Sequence, residues 1–171
     1  MSDSLNRPSS DGVTVRAGFD WQARLQELGL TLHGPHLPHE PLAGAIIHDG
    51  IVHVSGQLPR IDGKITCYGQ LGASVSVEEG VEAARVCALN ALSVLAHVLG
   101  GLDQVDQILR VTGFVASAAD FKQQPVVVDG ASKIFFNVLG DAGRHSRSAI
   151  GVAALPHGAA VEIELTAAIK S

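Results

Sequence analysis

A chain of 171 residues with a formal net charge of -5 fits a single domain, which at this size buries roughly 70% of its unfolded surface. The acidic balance withholds the broad electropositive surface that supplies most non-specific nucleic-acid affinity, so no nucleic acid is expected as a partner. With 46% apolar and only 17% charged residues, the chain holds more core-forming side chains than one soluble copy requires, and burial between copies follows.

The two cysteines, Cys67 and Cys87, are too few for a disulfide framework and read as reduced thiols of an intracellular protein. Met1 to Gly18 is polar and rich in Ser, Asp, Gly and Pro, which predicts a flexible arm ahead of one domain over residues 19–171. That arm lacks the apolar core of a signal peptide. No run of about 18 apolar residues offers a membrane span, so a cytoplasmic protein without membrane contact is expected.

In chain order, Trp21, Leu25 and Leu28 at helical spacing predict a short helix capped by Asp20 and stopped by Gly29. His33, His36 and His39 follow at intervals of three, a spacing that invites a metal. Pro35, Pro38 and Pro41 forbid the helix that would align them, so a solvated loop is the expectation and no metal is assigned. Ala43 to Ile47 and Ile51 to Ser55 flank His48-Asp49-Gly50, a hairpin signal. Ser55-Gly56 closes the second strand, where glycine permits close approach of another backbone or a ligand. Leu58 to Gln70 reads as a loop excursion with a short strand around Lys64 to Thr66.

A long helix is predicted over Val77 to Leu99, with Ser76 and Glu79 as a capping box, an apolar stripe of Val81, Ala84, Ala88, Leu92, Leu95 and Leu99, and Gly100-Gly101 as the stop. Leu102 to Gln107 reads as a turn leading into a strand over Ile108 to Ala116. A further helix is expected over Val126 to Leu139, burying Val127 or Val128, Ala131, Ile134, Phe135 and Val138.

Two alternating runs, Arg147 to Ala154 and Val161 to Leu165, then flank Leu155-Pro156-His157-Gly158 and predict a second hairpin. Folded that way, it brings the Arg147 guanidinium near the Glu162 carboxylate. An arginine fork binds carboxylates bidentately, and a carboxylate positions or deprotonates a water, so the pair suits water attack on a small carboxylic acid; a plain structural ion pair fits the same spacing. The element order favours an α+β fold with both main helices on one sheet face and the other face covered by further copies.

The segments HVSGQLP (His53 to Pro59), VSVEEGVEAARVCALNAL (Val75 to Leu92), VVDGASKIFFNVLGDAGRHSR (Val127 to Arg147) and SAIGVAALPHGAAVEIELTA (Ser148 to Ala167) resemble the RidA/YjgF family, also labelled endoribonuclease L-PSP-like. The GRHSR run resembles a longer subgroup of it. The resemblance spans about residues 22 to 170. It implies a chorismate-mutase-like α+β fold with a mixed sheet, a homotrimer with sites in the clefts between subunits, and cofactor-free hydrolytic deamination of enamines and imines derived from amino acids, giving ammonia and a 2-oxo acid. By the same resemblance Arg147 clamps the substrate carboxylate and Glu162 holds the attacking water. Ser55 and Gly56 form the pocket floor, Ala149 stands where a cysteine is common, and Asp129 stands where an asparagine is common. Leu42 lies near the position of a tyrosine that this chain lacks.

Losing that hydroxyl weakens orientation, and a carboxylate at Asp129 competes with an anionic ligand. A trimeric protein that binds a small carboxylate without turning it over is therefore the alternative. A ribonuclease using Arg144, His145 and Arg147 as a phosphate patch is the third reading, disfavoured by the acidic chain and the lack of interleaved aromatics. His145 otherwise reads as a loop cap or as a group tuning the pocket's charge, and His157 as solvent-facing.

Overall fold

The computed structural model describes residues 20–170. The arm expected over Met1 to Gly18 lies outside them. Helix α1 (Trp21–Glu27) starts where the Asp20 carboxylate accepts from the Gln22 and Ala23 amides, each at 3.0 Å, and it ends ahead of Gly29. The chain then passes His33, His36 and His39 without regular structure, as its prolines dictate. Strands β1 (Ala45–His48) and β2 (Ile51–Gln57) turn at Asp49 and Gly50, both left-handed with φ of 48° and 74°, the twist a two-residue hairpin needs. A two-stranded ribbon follows, β3 (Arg60–Ile61) with β4 (Lys64–Ile65).

Helix α2 (Val77–Leu99) carries the full capping box: Ser76 Oγ accepts from the Glu79 amide at 3.2 Å, and the Glu79 carboxylate accepts from the Ser76 amide at 2.8 Å. From the middle of α2 the buried Asn90 amide donates to the carbonyls of Leu58 and Arg60, both at 3.0 Å, and fixes the ribbon against the helix. Strand β5 (Val105–Ala116) begins three residues before the expected Ile108, and helix α3 (Gln124–Leu139) begins two before Val126. Strands β6 (Ser146–Val152) and β7 (Val161–Ile169) complete the fold.

The five-stranded sheet has the order β1-β2-β7-β5-β6, and only β5 and β6 run parallel. The expected hairpin of Arg147 to Ala154 with Val161 to Leu165 is therefore wrong. These strands are antiparallel to each other but not neighbours, because β5 pairs with both and lies between them. The segment from Ala153 to Ala160 is long enough to step over the end of β5, where the Ala116 amide donates to Ala160 O at 2.9 Å. His157 on this crossing is exposed, as expected.

Both long helices pack on one face of the sheet, so the fold is α+β with a mixed sheet. Their apolar sides meet Val52, Val54, Val111, Val115, Val161, Ile163 and Leu165 in one core around Phe135, Leu92 and Leu95. Helix α2 is long and apolar enough, by length and composition, to cross a membrane, contrary to the expectation that no segment is; its apolar side lies in this core, and most of its residues from Gly80 to Leu95 are buried. On the other face His53, Arg110, Thr112, Glu164 and Thr166 line a shallow cleft of about 140 Å³. Ile46 and Ile150 on the outer strands stay exposed. That face is more polar than the apolar surplus of the sequence suggested.

Candidate functional site

Arg147 stands beside Val111 in the register of β6 with β5, and its side chain turns to the helix face with 21% exposure. There α3 meets it with two residues one turn apart. Nη1 donates to Asp129 Oδ1 at 2.7 Å and to Ser132 Oγ at 3.0 Å, while Nη2 donates to Pro125 O at 3.3 Å. Three of the five guanidinium N–H groups are thus engaged, and among the described residues Nε–H and one Nη2–H have no partner. Asp129 is half exposed and pairs with the same cation that a carboxylate ligand would use.

His145 closes the inner side of this cluster. Its Nδ1 lies 2.7 Å from Gly143 O and its Nε2 lies 2.9 Å from Ser132 Oγ, with the ring edge-on to Phe135. Burial lowers its pKa and the nearby Arg147 charge lowers it further, against the opposing pull of the Gly143 carbonyl. Gly143 itself packs against the α3 backbone, where a Cβ would lie 2.2 Å from Phe135 O.

The second group of residues sits at the other end of the sheet. Glu162 on β7 lies over Gly56 so closely that a Cβ on Gly56 would come 1.8 Å from Glu162 Oε1. The irregular register of β2 between Val54 and Gln57 sends Gln57 into the core and leaves Gly56 under the carboxylate. Burial, and then the neighbouring Glu164, raise the Glu162 pKa, so its carboxyl holds a proton more tightly than a solvated one. Ser55 Oγ donates to Ala43 O at 2.7 Å, which ties this part of β2 to the residue after the exposed Leu42.

Arg147 and Glu162 do not meet within one chain. Arg147 aligns with Val111 and Glu162 with Phe114, an odd separation along an unbroken stretch of β5, so their side chains leave opposite faces of the sheet. Two strand spacings, roughly 10 Å, separate their backbones as well. The residues singled out in the sequence fall instead into two separate groups. Arg147 and Asp129 share one with Ala149, which alternates with Arg147 onto the helix face and packs against the core; Gly56 and Glu162 meet in the other, with Ser55 next to Gly56 and bonded to the residue after Leu42, which stays exposed.

Nor do Arg144, His145 and Arg147 form a phosphate patch. Arg144 pairs with Asp141 at 2.9 Å and lies over the Phe136 ring, while His145 turns inward. Among the described residues no group of three or more His, Cys, Asp or Glu is placed to hold a metal ion. Sequence reasoning missed Ser132, the hub between His145 and Arg147. Its spacing of three from Asp129 on one helix was the available signal.

Residues 37–169 match the family described as "YjgF/chorismate mutase-like, putative endoribonuclease". Protein TCP17 of Trypanosoma cruzi is 43% identical over 153 residues, 89% of this chain and 96% of that one. A crystal structure of a protein of unknown function from Agrobacterium tumefaciens superposes with a TM-score of 0.81 at 39% identity, covering 88% of this chain and 93% of the other. That of a "putative endoribonuclease" from Shewanella oneidensis gives 0.83 at 32% identity, covering 86% and 98%. Family match, relatives and the β1-β2-β7-β5-β6 sheet under two long helices agree, and the chain belongs to the YjgF/chorismate mutase-like family.

Proposed function

We propose that the protein is a cofactor-free hydrolytic deaminase of enamine and imine intermediates derived from amino acids, acting in the cytoplasm as a homotrimer whose sites lie between copies. The observation that carries this reading is the mostly buried Arg147 guanidinium, two of whose N–H donors have no partner among the described residues, with Glu162 on the opposite face of the same sheet. Two copies complete the site, one giving Arg147 and the other Glu162.

The substrate carboxylate docks on those two Arg147 donors and orients the C=N carbon. Glu162 takes a proton from a water as its oxygen bonds to that carbon, and the resulting carbinolamine regains the proton on nitrogen. The carbinolamine hydroxyl then gives its proton through Glu162 to the nitrogen as the C–N bond breaks, and ammonia leaves the 2-oxo acid. An enamine enters by first shifting its double bond to the imine. A carboxyl with raised proton affinity suits both the taking and the returning of that proton.

The test supplies imines in situ from L-amino acids by an amino-acid oxidase and follows 2-oxo acid formation. Wild-type protein accelerates it, and Arg147→Ala loses the acceleration, by about 100-fold or more, while the assembly stays intact. A wild-type protein that speeds none of these imines sinks the proposal. The salt bridge of Asp129 to Arg147 favours one rival, a trimer that binds small carboxylates without turnover. Binding of a 2-oxo acid by calorimetry without any ammonia release selects that rival.

A further inference from the structure

We propose that His145 is a positioning residue for Arg147, acting through Ser132: a directed hydrogen-bond chain fixes the guanidinium in its ligand-binding pose only while the imidazole is neutral.

The direction of the chain follows from which atoms are able to donate. Gly143 O only accepts, so His145 Nδ1 carries the hydrogen of the 2.7 Å contact. Arg147 Nη1 only donates, so at 3.0 Å it uses a lone pair of Ser132 Oγ. The Ser132 hydroxyl hydrogen is left to point at His145 Nε2, 2.9 Å away, which in this tautomer is a bare acceptor. Every contact in the run Arg147, Ser132, His145, Gly143 thus has one donor and one acceptor.

Protonation of the imidazole breaks that order. Nε2 then carries a hydrogen as well, and two cationic donors converge on one hydroxyl oxygen. Ser132 Oγ has a lone pair for each, but its own hydrogen then loses its acceptor and two cations repel across one oxygen, which loosens the hold on Arg147. The charged groups around the ring are few. On β6 there is Arg147; on α3 there is Asp129, on the far side of Arg147; beside the ring the exposed pair Arg144 and Asp141 neutralise each other. Burial against Phe135 also disfavours the charged ring. The resting state is the neutral one, and acidification is what undoes it.

This inference rests on reading Arg147 as a carboxylate anchor. Its test is the affinity for pyruvate, a small 2-oxo acid, measured by titration calorimetry at about pH 7.5 and about pH 5.5, with melting and sizing of each variant. In the wild type the affinity falls by about tenfold on acidification, the worth of one oriented charged hydrogen bond. His145→Gln offers an acceptor that does not titrate, so it binds near the wild-type level at both pH values. His145→Phe and Ser132→Ala bind weakly at both. A rise of wild-type affinity at low pH, the sign of a ring acting only as an added positive charge, overturns the proposal, as does wild-type binding by His145→Phe. Absence of pyruvate binding at about pH 7.5 in the wild type overturns the anchor reading of Arg147 and this inference with it.

Discussion

Arg147 and Glu162 leave opposite faces of the same sheet, with β5 paired to the strand of each. On the proposed function, a single copy presents an anchor without a base on one face and a base without an anchor on the other. If the site joins two copies, variants lacking different halves complement each other. Assemblies of Arg147→Ala alone and of Glu162→Gln alone are each expected to be inactive. After unfolding and refolding as an equal mixture, about a quarter of the interfaces pair an intact Arg147 with an intact Glu162, by random assortment around a cyclic assembly. Imine hydrolysis by the refolded mixture reads this directly, and a mixture as inactive as its parents counts against a shared site.

Gly56 and Glu162 form a contact that leaves no room for a side chain. Gly56→Ala places a methyl where Glu162 Oε1 now lies, and the carboxylate must swing away. The expected outcome is a fall in kcat of about 100-fold or more, as for a lost general base, with pyruvate affinity nearly unchanged because Arg147 is untouched. Steady-state kinetics beside calorimetry separates the two effects.

The Asp129 carboxylate loads one edge of the Arg147 guanidinium. Asp129→Asn keeps the shape and removes the charge that competes with an anionic ligand, so affinity for pyruvate rises by about three- to tenfold. An unchanged or weaker affinity assigns Asp129 to holding Arg147 in place instead.

Glu162 also leaves a signature in pH. Its folded pKa stands above the unfolded value because of burial and Glu164, so the folded chain binds this proton more tightly. Its contribution to stability is full below the ordinary carboxylate range and is lost as pH rises through the raised folded value. Glu162→Gln accordingly raises Tm at about pH 7 more than at about pH 4. In the kcat/KM profile, Glu164→Gln moves the acid limb to lower pH, since a neighbouring negative charge is removed.

What was legible in the sequence was local chemistry. Asp20, Asp49-Gly50 and the Ser76/Glu79 box mark their own elements because cap and turn residues act on backbone groups within a few positions. The two-helix, one-sheet layering also followed from periodicity. Strand order did not: whether β6 pairs with β7 depends on β5, a strand some thirty residues earlier, and no turn signal carries that information. The false hairpin joined Arg147 and Glu162 for this reason. Arg147, Gly56 and Glu162 stand in motifs that drew attention to them, but Ser132, a plain serine within a helix, became visible only once α3 lay against β6.

Asn90 uses both amide hydrogens on the carbonyls of Leu58 and Arg60, just beyond Gln57 and the Gly56 seat. Conversion of that amide to a carboxylate, as deamidation does, would set bare oxygens against carbonyl oxygens in a nearly dry space. The helix would then repel the segment it now grips. Ageing at one buried position, remote from Arg147, would thereby unfasten the ground on which Glu162 rests.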